Sequence, residues 1–191
     1  MKTSLNVFFA SCVVLGVAAC GGGTSSADST KEAKKQNDST FDSTSIKKDA
    51  SFAVAAADGG MLEVQLGQLA QTNGTSAAIK ELGKMMVDDH SKANDELKAV
   101  AERKGIVLPA VMGDKNQKTY NDLALKKGAE FDKSYADLMV SDHNDDIEEF
   151  KKEANVGEDP DLKAWAQGKV PVLEHHLEMA KTTQEAVKKS K

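Results

Sequence analysis

The sequence predicts an all-α fold, a four-helix bundle, and three observations carry the prediction. Beyond residue 48 the chain is rich in Ala, Leu, Lys, Glu, Met and Gln, and the apolar–polar alternation of strands is nearly absent. Apolar residues recur at spacings of three and four through four long segments. Turn chemistry separates those segments: Asn73-Gly74, Gly105 with Pro109, and Gly157-Glu158-Asp159-Pro160.

The first segment is not part of that bundle. Lys2 precedes the apolar run LNVFFASCVVLGVAA, which is too short to span a bilayer and has the layout of an export signal over residues 1–19. Val17-Ala18-Ala19-Cys20 resembles the lipobox of bacterial lipoproteins, in which the cysteine is acylated and becomes the new N-terminus. The other reading is an ordinary secretory signal cut near Ala19. With the lipobox, the expected partner is a membrane surface, reached through lipid on Cys20. Acyl chains contribute about 0.8 kcal/mol per buried methylene, so several together anchor stably. Gly21 stands where an inner-membrane lipoprotein would carry Asp, which favours the outer membrane of the cell envelope.

Residues 20–48, the cysteine and the Ser/Thr-rich stretch behind it, hold almost no apolar side chains and read as a disordered tether. As a coil its reach is on the order of 30 Å. Asp-Ser-Thr recurs at Asp28, Asp38 and Asp42, either as a repeating linker or as a resemblance to a short O-glycosylation sequon of bacterial envelopes.

The helical domain, residues 49–191, follows. Its first helix is expected from about Ala50 to Gln71, with Phe52, Ala56, Leu62, Leu66, Leu69 and Ala70 on one side. Asn73-Gly74 stops it, as residues that favour the left-handed conformation do after a helix. The second runs from Thr75 or Ser76 to Lys104, with Ile79, Leu82, Met86, Ala93, Leu97 and Val100 inward and Gly105 as its terminator. Residues 105–115 read as an extended crossover, followed by a short helical piece ending near Gly128. The third runs from about Ala129 to Asn155, with Phe131, Tyr135, Met139, Ile147 and Phe150 inward. Asp159 caps the fourth and Pro160 opens it, with Leu162, Ala166, Leu173 and Ala180 facing in until about Lys188.

Met-Val-x-Asp-His occurs twice, at Met86–His90 and Met139–His143, on the same face of two seams. His90, His143 and His176 each fill a gap in an apolar stripe, whereas His175 faces elsewhere. From the turn near residue 158, His143 and His176 lie within about 3 Å of one height at 1.5 Å per residue. His90 reaches that level whether its helix runs antiparallel or parallel to the third. On the first helix Asp58 is nearest in height, while Glu63 lies beside the apolar stripe, where an unpaired carboxylate is costly; the residues favour Glu63. Imidazoles with one carboxylate suit a single transition-metal ion, Fe, Zn, Cu or Mn. Asp89 and Asp142 point to a neighbouring face and serve better as partners of ligands, and Met86 and Met139 as core filler. The same residues permit a second reading, a structural or interaction module whose histidines make core hydrogen bonds without a metal.

The domain resembles the ferritin-like family catalogued as domain of unknown function 4142, often labelled outer membrane protein. The resemblance rests on Glu63-Val64, Leu66-Gly67, Leu69-Ala70, Met86-Val87-Asp88-Asp89-His90, Phe131-Asp132-Lys133-Ser134-Tyr135, His143, Val170-Pro171, Leu173 and His176-Leu177. It implies a ferritin-like bundle and favours Glu63 over Asp58, and it implies no established activity. Ferritin-like di-iron proteins carry Glu-x-x-His on two helices, but here Val87, Val140 and Leu173 stand three before the histidines, which argues against a di-iron site and for a mononuclear site or none.

Several classes are excluded. No thiol remains once Cys12 is discarded and Cys20 lipidated, so disulfides, Cys-ligated zinc and Cys nucleophiles are ruled out. Removing Lys2 changes the net charge from -5 to -6 (24 basic against 30 acidic residues), and no basic stripe offers itself to nucleic acid. Neither a Ser-His-Asp set nor a nucleotide fingerprint is present.

Overall fold

The computed structural model describes residues 28–41 and 46–189. The signal segment 1–19, Cys20 and the Asp42 triplet lie outside the described residues. Among the described residues the fold is all-α, without strands, in six helices. They are α1 (Ser29–Thr40), α2 (Ile46–Asn73), α3 (Ala77–Lys104), α4 (Asp114–Ala124), α5 (Gly128–Val156) and α6 (Pro160–Lys189).

The four long helices pack side by side. The short turns 74–76 and 157–159 make α2–α3 and α5–α6 antiparallel hairpins, and the hairpins meet through α3 against α6 and α2 against α5. The crossover fixes their relative direction. It leaves α3 at Gly105, passes Asp58, whose carboxylate accepts from Gly113 N (2.7 Å) and Asn116 Nδ2 (2.9 Å), and returns to the end of α2. There Asn73 Nδ2 donates to the carbonyls of Ala124 (3.3 Å) and Lys126 (2.9 Å). Asp132 of α5 then accepts from Thr75 N (3.0 Å), Thr75 Oγ1 (2.6 Å) and Ser76 N (2.9 Å), covering amides that open α3. So α5 starts beside the start of α3, and these two diagonal helices run parallel. At the far end Lys104 joins Asp159 (2.8 Å) and Asp161 (2.9 Å), and Asp49 accepts from Glu158 N (2.8 Å) and Asp159 N (2.6 Å).

The core has two apolar ends. Leu66, Ile79, Met86, Phe131, Tyr135 and Met139 fill one. Ala53, Leu97 and Leu162 fill the other, with Ile147, Phe150 and Leu173 beside them. Between the two lies a buried polar layer made of Glu63, His90, His143 and His176.

The expectation of a disordered tether through residue 48 is corrected for the described part of it. Ser29–Thr40 is a helix, capped by Asp28, whose Oδ1 accepts from Thr30 N at 2.9 Å, and α2 begins at Ile46. Polar side chains dock α1 onto the extended crossover. Asn37 makes a reciprocal pair with Val107, Nδ2–H to the carbonyl and N–H to Oδ1, each 2.8 Å, and Ser29 Oγ accepts from Ala110 N at 3.1 Å. The crossover lacks a ladder of its own, and α1 satisfies its backbone groups.

Two turn glycines work differently. Gly105 ends α3 in the left-handed conformation (φ 68°), as its place predicts. Gly74 does not adopt a positive φ. A Cβ there would lie 2.7 Å from the Ala70 carbonyl and 2.9 Å from Ile79, so close approach is what requires glycine.

Candidate metal centre

The parallel course of α3 and α5 explains why the repeated motif matters. His90 and His143 sit at equivalent points of diagonal helices and both turn inward, and α6 brings His176 between them. The three rings are buried, with centroids 5.2–5.7 Å apart. One ring nitrogen from each lies within 4.8 Å of the others.

Hydrogen bonds to the outer nitrogens set the tautomers. His143 Nδ1 lies 3.0 Å from the Met139 carbonyl, which only accepts, so Nδ1 carries the proton and Nε2 presents a lone pair. His176 Nε2 lies 2.8 Å from Asp89 Oδ2 and donates to that carboxylate, leaving the lone pair on Nδ1. These two lone-pair nitrogens face each other at 3.3 Å. His90 turns Nδ1 to Glu63 Oε2 at 2.7 Å, and its buried Nε2 has no hydrogen-bond partner.

Glu63 is 1% exposed and touches two of the rings, with Oε1 3.5 Å from His143 Nε2 and no hydrogen bond to it. Donors bound at about 2.0–2.1 Å to a tetrahedral ion stand about 3.3–3.4 Å apart. The His143–His176 and His143–Glu63 separations, 3.3 and 3.5 Å, agree with that spacing. Glu63 also belongs to a carboxylate group with Asp142 and Asp146, whose oxygens lie within 4.8 Å of one another. A cavity of about 20 Å³, the size of one water or ion, is lined by Gly59, Gly60, Glu63, His90, Asp146 and Trp165 among others.

Burial dominates the electrostatics. It holds His90 down to about 4 against the pull of Asp146, Asp142 and Asp89, and His143 down to about 3 with help from the other two rings. His176 is lowered too, burial outweighing its bond to Asp89. All three imidazoles are therefore neutral at pH 7, the state in which they bind metals. Burial pushes Glu63 well above the usual carboxylate range, reinforced by Asp142, and raises Asp146 through burial and then the charges of Glu63 and Asp142. An unsatisfied buried polar group costs about 1–3 kcal/mol. Glu63 Oε1 and His90 Nε2 are such groups within the imidazole layer, and Asp142 Oδ2 is another beside Glu63.

The sequence expectations meet this geometry as follows. The three histidines come together, with Glu63 against His90 and His143; Asp58 does not join them, being taken up by the crossover. Asp89 partners a histidine, as its neighbouring face indicates. Asp142 lies with Glu63 and Asp146 and not against a histidine partner of its own. Asp146 was missed, although its spacing of four from Asp142, flanking His143, put it on the same face. Met86 and Met139 are core residues.

A family profile described as Domain of unknown function (DUF4142) matches residues 31–183. No curated protein and no solved structure matches the chain.

Proposed function

The chain belongs to the DUF4142 family, and on that premise we propose that it is a metal-binding module of the cell envelope, carried on lipid at Cys20. One transition-metal ion is held by His90, His143 and His176, with Glu63 as the anionic ligand. The observation that carries this reading is the pair of facing nitrogens, His143 Nε2 and His176 Nδ1, both without protons, buried and 3.3 Å apart. A neutral pair in this arrangement repels, and a cation between them turns the repulsion into two bonds. Nitrogen donors with one carboxylate suit Zn, and equally Fe, Mn or Cu in the divalent state. Bound there, the ion would supply Lewis acidity or, if redox-active, an electron. The ring order of the long helices and the connection by a long crossover support a ferritin-like four-helix bundle. The lipobox-like Val17–Cys20 and Gly21 support an anchor at the outer membrane.

The test is metal content and melting temperature of the full chain before and after chelation, then titration of the apo protein with Zn, Cu, Fe and Mn. Binding tighter than micromolar that disappears in His90→Ala with His143→Ala is the expected result. Without such binding, the histidines serve as hydrogen-bonding core residues of a structural module.

A further inference from the structure

The repeated motif has a second consequence. The packing order relates α3 to α5 and α2 to α6 by an approximate half-turn about the long axis of the helices. Under that exchange Asp89 corresponds to Asp142, and the helix that Asp89 faces, α6, corresponds to α2. Asp89 meets His176, a hydrogen-bond donor, at 2.8 Å. Asp142 meets Glu63, another carboxylate. The equivalent of Asp146 is Ala93, so this half of the layer holds one further acid. Three carboxylates thus converge where the other half places a proton donor.

Among the described residues no lysine or arginine forms an ion pair with Glu63, Asp142 or Asp146. Glu63 Oε1 is fully buried without a hydrogen-bond partner, and so is Asp142 Oδ2. The cavity beside Glu63 and Asp146 has room for a single ion. Asn94 lies on its wall, with its side-chain amide over Gly60, where a Cβ would lie 2.1 Å from Asn94 Oδ1.

We propose that Glu63, Asp142 and Asp146 form a second cation site, distinct in chemistry from the imidazole site and sharing the Glu63 carboxylate with it. An all-oxygen, anionic donor set selects a hard divalent cation of the Mn, Mg or Ca type, whereas the imidazoles select a borderline one. The proposal rests on the imidazole reading only for the sharing of Glu63; the carboxylate site stands on its own contacts.

Metal uptake by the chelator-stripped full chain tests this, with Zn²⁺ and Mn²⁺ as probes. The zinc-loaded protein is expected to take up one further equivalent of Mn²⁺, read as loss of the free-ion paramagnetic resonance signal. Asp146→Asn and Asp142→Asn, which keep side-chain shape, should each weaken Mn²⁺ uptake at least tenfold and leave the zinc equivalent in place. Glu63→Gln should weaken both. Thermal unfolding of each variant establishes that it is folded. Zinc-loaded protein that binds no Mn²⁺ overturns the second site and leaves the imidazole site standing. Mn²⁺ uptake that ignores Asp146→Asn overturns it as well, and so does loss of zinc in that variant, which would make the two sites one. Mn²⁺ uptake without zinc uptake supports the carboxylate site and removes the imidazole one.

Discussion

His143 Nε2 and His176 Nδ1 face each other across 3.3 Å, each with its proton committed to the opposite side of its ring. Replacing either by Ala should lower zinc affinity by at least about 100-fold, the loss of one of few ligands. Asp89→Ala should lower it by about 10–100-fold, because His176 loses the carboxylate that fixes its tautomer. Asp89 is 46% exposed, so the apo melting temperature should stay within about 3 °C. Competition against a chromophoric chelator measures the affinities. Unchanged affinity in Asp89→Ala would remove the orienting role.

Glu153 gives the far end of the protein a pH dependence. Burial, with Asp49 and Asp159 nearby, raises its carboxyl from 4.5 to about 7, and its Oε1 has no hydrogen-bond partner. Because the folded value is the higher one, the stabilisation is complete below 4.5 and is lost as pH rises through about 7. Glu153→Gln should match the parent protein at pH 4 and melt about 2–4 °C higher at pH 8. Calorimetry across that range checks it, and a parallel pair of curves would refute it.

Asn37 holds α1 to the crossover through its two 2.8 Å bonds with Val107. Asn37→Ala leaves the Val107 amide and carbonyl without those partners, a cost of about 1–3 kcal/mol. The loss should be local. Amide exchange should accelerate in residues 29–40 and at Val107, while the centres of α3 and α5 keep their protection.

Gly67 and Gly83 let α2 and α3 touch. A Cβ on Gly67 would lie 2.5 Å from the Gly83 carbonyl oxygen, and one on Gly83 would lie 2.6 Å from Ala70 Cβ. Those neighbours are rigid, so Gly67→Ala should destabilise by about 1–3 kcal/mol. Gly168 has nothing within 4 Å of its Cβ position. Gly168→Ala should therefore stabilise by about 0.5–1 kcal/mol through helix propensity alone. Denaturant unfolding of the two variants gives both signs.

The inward histidines were legible because a helix repeats every 3.6 residues and each histidine filled a gap in an apolar stripe. The choice between Asp58 and Glu63 was not legible from height. Helical side chains lean toward the N-terminus of their own helix. In the antiparallel pair α2 and α3, Glu63 and His90 therefore lean toward each other, closing a gap of several ångströms that counting along the axis leaves open. The relative direction of α3 and α5 depends on where the crossover returns, and polar contacts at Asp58, Asn73 and Asp132 decide that. α1 escaped notice for a related reason. It is held by Asn37 and Ser29 bonding to main chain, and an apolar stripe signals only helices held by apolar faces.

That docking of α1 also shortens the leash. Under the proposed lipidation, seven residues, and so eight Cα–Cα steps, separate Cys20 from Asp28, where the described helical body begins. Fully stretched, those eight steps cover at most about 28 Å at 3.5 Å per step. The body would then ride within roughly its own width of the bilayer surface, sampling ions from the headgroup layer more than from the open compartment.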